Sequence, residues 1–96
     1  MDEVKKPTIK YEVKDGFLYV NESRYKIDNI TSVSLKEKYY FGMDDTPGVY
    51  ECSLCINQSK HYLNFSVLDE DSDIIKAEKW KLLDDLVADI KKLINF

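Results

Sequence analysis

Ninety-six residues, 44% hydrophobic and 33% charged, describe a chain that can fold, but around one core and not two. The net charge is −4 and the only arginine is Arg24, which argues against general nucleic-acid binding and against bidentate clamping of phosphates. No apolar run approaches the ~20 residues that cross a bilayer, and Met1 to Pro7 is polar where a secretory leader is apolar. A cytoplasmic protein without an integral membrane segment is the expectation.

In Thr8 to Lys14, Ile9, Tyr11 and Val13 alternate with Lys10, Glu12 and Lys14, the period of a half-buried strand. Asp15-Gly16 follows, a dipeptide suited to two-residue hairpin turns because both positions need positive φ. The return strand, Phe17 to Asn21, then sets Tyr11 opposite Val20 and Val13 opposite Leu18 on the core side. Lys14 and Phe17, and Glu12 and Tyr19, pair on the other side. A turn at Glu22-Ser23 leads to a short third strand, Arg24 to Ile27, with Val20 facing Tyr25 and Leu18 facing Ile27. Asp28-Asn29 is turn chemistry. A fourth strand runs from Ile30 to about Lys38, with Val33 and Leu35 inward.

Tyr39 to Gly48 interrupts this regularity with Gly42, Asp44, Asp45, Pro47 and Gly48. A fifth strand, Val49 to Asn57, and a sixth, Tyr62 to about Asp69, are expected around a loop at Gln58 to His61. In that register Cys52 faces Val67, Leu54 faces Phe65 and Ile56 faces Leu63, leaving one face wholly apolar. The acidic run Asp69 to Asp73 ends the sheet and supplies capping groups for a helix. That helix runs from about Ile75 to Ile94, with Trp80, Leu82, Leu83, Leu86, Val87, Ile90, Leu93 and Ile94 in one broad apolar arc that the open face of the sheet must cover.

Six short strands followed by one tryptophan-bearing helix resemble a pleckstrin-homology-like (PH-like) domain. The stretches Asp15 to Asn21 and Arg24 to Val33 are similar to small bacterial PH-like domains of uncharacterised function. The resemblance covers most of residues 8–95. It implies an α+β fold over a single domain, 1–96: an antiparallel six- to seven-stranded sheet or barrel, capped by the C-terminal helix, with Trp80 packed into the core. Two departures matter. Six strands are visible where the full barrel has seven. Lys14-Asp15-Gly16 stands in place of the basic loop that binds inositol phosphates, so phosphoinositide binding is not carried over.

The residues that carry chemistry elsewhere read as structural here. Cys52 and Cys55 have C-x-x-C spacing, but three residues along a strand point to opposite faces, with Cys52 in the core and Cys55 outside, so neither a bridge nor a shared metal is expected. His61 is the only histidine and reads as an exposed hairpin-loop residue. The Asp69 to Asp73 run lacks the spacing and glycine of a calcium loop. Aromatic residues are the better candidates. Phe17 and Tyr19 fall on the outer face of the first hairpin, where something must cover them unless a bulge shifts the register. If the fourth strand continues, Tyr39 and Phe41 extend the core, which leaves Tyr40 and Met43 outward as interface candidates.

The expected function is therefore a non-enzymatic PH-like module that binds a protein partner or itself through Phe17, Tyr19, Tyr40 and Met43, with no cofactor and no metal. The rival is a small acidic inhibitor or immunity-type protein, presenting Asp69 to Asp73, Asp84, Asp85 and Asp89 to a basic site.

Overall fold

The structure, a computed structural model, describes residues 4–96. Six antiparallel strands and one helix follow in order: β1 (Tyr11–Lys14), β2 (Phe17–Val20), β3 (Ser23–Lys26), β4 (Val33–Tyr40), β5 (Val49–Ile56), β6 (Ser59–Leu68) and α1 (Asp73–Leu93), with one 3-10 turn at Ile27–Asn29. The strands form two three-stranded sheets, β1-β2-β3 and β4-β5-β6, and not the single sheet or barrel expected: no barrel closes. Residues 27–32, a 3-10 turn followed by unpaired chain, separate the two sheets.

The first hairpin has the expected register, Tyr11 opposite Val20 and Val13 opposite Leu18. Asp15 and Gly16 take φ of 53° and 80°, as a tight turn requires. The second turn is corrected. It lies at Asn21-Glu22, and Leu18 faces Tyr25 while Val20 faces Ser23. Asn21 adopts φ 53°, and its amide donates to the Lys10 carbonyl at 2.8 Å. Asparagine tolerates this left-handed conformation, so the chain reverses one residue earlier than its neighbours suggest. The displacement is an even number of positions, so Leu18, Val20 and Tyr25 still share the core face. Val13 does not join them. It sits at the end of an edge strand and is 37% exposed.

The β5–β6 hairpin is corrected in the same way. The turn is Asn57-Gln58, with Asn57 at φ 55°, and pairing begins at Ile56–Ser59. The Asn57 side chain holds this turn against the connection to β4. Its Oδ1 accepts from the Thr31 amide at 2.7 Å and the Thr31 hydroxyl at 3.0 Å, and the backbone amide of Asn57 donates to the Ser32 carbonyl at 2.9 Å. Leu54 therefore faces His61, not Phe65. Beyond a bulge between Ser53 and Glu51 the register shifts, with Asn64 at φ 49°, and Val67 faces Tyr50.

The helix begins where the Ser72 hydroxyl accepts from the Ile75 amide at 3.2 Å. It ends with Asn95 at φ 58°, where the Phe96 amide bonds the Lys91 carbonyl and the Asn95 amide bonds the Lys92 carbonyl, a Schellman arrangement. No helix among the described residues is long and apolar enough to cross a membrane. One core cluster joins all three layers: Leu18 and Val20 from the first sheet, Leu54, Ile56 and Leu63 from the second, and Leu83 and Ile90 from the helix. Trp80 is half-buried against this cluster and meets Tyr50 edge-on.

Candidate functional site

The most exposed large apolar side chains among the described residues lie where β4 gives way to the loop before β5. Phe41 is 85% exposed and Met43 76%, beside Tyr40 at 42%. Tyr40 and Met43 thus face solvent as expected. Phe41 is corrected: β4 stops at Tyr40, so Phe41 leaves the core face and becomes the most exposed of the group.

This loop is braced rather than loose. The Thr46 amide bonds the Met43 carbonyl at 2.9 Å, and the Asp69 amide bonds the Gly48 carbonyl at 2.9 Å. At Gly42 an added Cβ would strike the Thr46 carbonyl oxygen and the Pro47–Gly48 backbone. At Gly48 it would strike the Tyr39 hydroxyl and the Asp69 carboxylate. These close approaches require glycine. The Tyr39 hydroxyl donates to the Asp69 carboxylate, and that hydrogen bond raises the pKa of Tyr39 above its ordinary value. A ladder of rings connects loop to core. Phe41 meets Tyr39 at 5.1 Å between centroids, Tyr39 meets Tyr50 at 4.6 Å, and Tyr50 meets Trp80 at 5.9 Å. Lys38 lies over the Tyr40 ring at 5.1 Å.

Phe17 and Tyr19 are on the outer face of the first sheet, as the register required, but both are half-buried. The Arg24 guanidinium covers Phe17 at 4.8 Å from the ring centroid. They are not brought together with Tyr40 and Met43: one pair is on the first sheet, the other at the end of β4 and in the loop after it.

His61 is corrected from an exposed loop residue to a buried strand residue. The shorter turn at Asn57-Gln58 draws it into β6. Its Nε2 and the Tyr25 hydroxyl share a hydrogen bond of 2.5 Å between the two sheets, and the rings meet edge-on. Burial lowers its pKa. Cys55 is also corrected: it points away from the helix side, yet it is buried along with Cys52, and both thiols are free. Burial, with Glu37 and Glu51 nearby, pushes the Cys52 thiol up to about 11, so it stays protonated and unreactive at neutral pH.

Two carboxylates of the acidic run are employed internally. Asp69 holds Tyr39. Asp71 accepts from the Leu68 amide at 2.9 Å and pairs with Lys79 at 2.5 Å. Burial alone would raise the Asp71 pKa, but these bonds outweigh it and hold the carboxyl below its ordinary value. Among the described residues, no group of three or more His, Cys, Asp or Glu side chains gathers as a metal centre needs. Compared with protein-family models, curated proteins and solved structures, the chain finds no match.

Proposed function

We propose that the chain is a non-enzymatic, PH-like binding module that docks a protein partner, or a second copy of itself, through the loop after β4. The carrying observation is that Phe41 and Met43 are the most exposed large apolar side chains among the described residues, on a loop closely packed at Gly42 and Gly48 and braced by two backbone hydrogen bonds. Large apolar side chains on a braced backbone make good anchors, because the backbone of the loop has little left to order on docking. The PH-like kinship rests on six antiparallel strands followed by a helix whose tryptophan turns inward. An enzymatic reading loses support because His61 is buried against Tyr25 and the Cys52 thiol stays protonated. The acidic-inhibitor reading is weakened because Asp69, Asp71 and Ser72 are engaged within the chain.

The test is a double variant, Phe41→Ser with Met43→Ser. Exposed substitutions of this kind change stability by at most about 0.5 kcal/mol, so the variant is expected to fold. Light scattering reads self-association, and a random peptide library selected against the immobilised wild type reads binding to other proteins. The variant should lower the solution mass or lose the selected peptides. A monomeric wild type whose peptides bind the variant equally well defeats the proposal.

A further inference from the structure

The outer face of the second sheet differs in charge from the rest of this acidic protein. The β4–β5–β6 register places Lys36, Lys38 and Lys60 there with Glu51 as the one acid, and all four are exposed. The whole chain carries a net charge of −4. Long side chains stand on the flanking strands, and the short Ser53 and Cys55 lie buried on the central one. Their neighbours cover Ser53 and Cys55, so the outer face is a closed platform edged by lysines. Tyr62, 69% exposed, stands beside Ser53 on β6. Next to it the bulge opens a recess of about 580 Å³ lined in part by Glu51, Tyr62, Phe65 and Ser66. At its other end the face runs into Tyr40 and Val49, and so into the exposed loop.

We propose that this face receives an extended acidic segment of a protein partner. Its carboxylates lie against Lys36, Lys38 and Lys60, and an apolar side chain packs on Tyr62 at the recess. The inference deepens the docking function proposed above, and rests on it, by naming the partner's charge. Three ammonium groups against the single carboxylate of Glu51 leave the face net positive, which attracts carboxylates, and the long lysine stems lie along the apolar parts of the segment. A nucleic acid fits less well, because three lysines are few for following a phosphate backbone and the sole arginine, Arg24, is on the other sheet.

The test selects a random peptide library against three immobilised proteins: the wild type, Lys36→Glu with Lys60→Glu, and Phe41→Ser with Met43→Ser. Peptides from the wild type should be enriched in Asp and Glu around one aromatic or aliphatic residue. They should bind the lysine variant at least about tenfold more weakly, and weaken as salt rises. Neutral or basic peptides, acidic peptides held equally well by the lysine variant, or an oligothymidylate probe binding the wild type more tightly than they do would overturn the proposal. Acidic peptides that need the lysines but ignore the loop variant support this face and remove the loop from peptide binding. An empty selection overturns the acidic-segment proposal; together with a monomeric wild type in light scattering it overturns the docking function as well. Circular dichroism of each variant separates lost binding from lost folding.

Discussion

The first sheet is made of three strands of four residues, the second of strands of eight, eight and ten. The first gives the core two fully buried side chains, Leu18 and Val20, with Tyr11 and Tyr25 packed partly against them. The second supplies Val33, Cys52, Leu54, Ile56 and Leu63, and from Cys52 to Ile56 its central strand is buried on both faces. Apolar burial is the dominant favourable term in folding, so the second sheet with its helix forms the cooperative body. The first sheet is a smaller cover, tied to that body by Leu18 and Val20, by the Tyr25–His61 bond and by the Thr8 amide on the Leu63 carbonyl at 3.1 Å. A unit with fewer ties should open at lower free energy than the whole molecule.

The largest test of this contrast is cavity formation. Leu54→Ala, in the middle of β5, should lower unfolding free energy by about 2–5 kcal/mol in urea titration. Leu18→Ala should cost less, because the small sheet can settle into the gap; equal costs would erase the distinction. Next, Tyr25→Phe removes the partner of a buried ring nitrogen and should cost about 1–3 kcal/mol. Hydrogen exchange should quicken in β1–β3 first and leave β5 protected. Acidification acts on the same contact. The His61 pKa is lowered in the folded protein, so as pH falls below about 6.5 the unfolded chain takes up the proton first and stability declines. Further acidification adds the loss of Asp71, whose pKa is also lowered and whose contribution persists only above the carboxylate range. His61→Phe should remove the decline near neutrality and leave the more acidic one; an unchanged profile would detach His61 from the effect. Smallest is Ser72→Ala, at about 1 kcal/mol, which should fray the helix start and leave the first sheet untouched.

The alternation of side chains made the inner face legible, and it survived two misplaced turns. The reason is physical. Both register errors were even numbers of residues, and an even slip keeps every side chain on its own face. What stayed hidden was where the chain reverses. Asp15-Gly16 announced itself, whereas Asn21 and Asn57 each sat at the end of an alternating run and looked like strand. Their left-handed φ is stabilised by partners distant in sequence, Lys10 for one and Thr31 with Ser32 for the other. His61 was misread for the same reason, since its burial depends on the turn at Asn57. Of the interface candidates, Tyr40 and Met43 were readable from the Pro/Gly loop beside them. Phe41 was missed because its exposure depends on β4, which runs past Lys38, stopping at Tyr40 just before it. The cover over Phe17 needs Arg24 across the β2–β3 pair, which the misplaced second turn concealed.

The ladder of rings from Phe41 to Trp80 gives the molecule an optical property. Trp80 is the chain's one indole, and it stands at the interior end of a line of contacts whose outer end is in solvent. A ligand that clasps Phe41 touches the first ring of this line, and any shift of Tyr39 and Tyr50 changes the packing against that indole. Its arrival should therefore register in the intrinsic emission of the unlabelled protein, and Tyr50→Leu should silence that signal while leaving attachment intact.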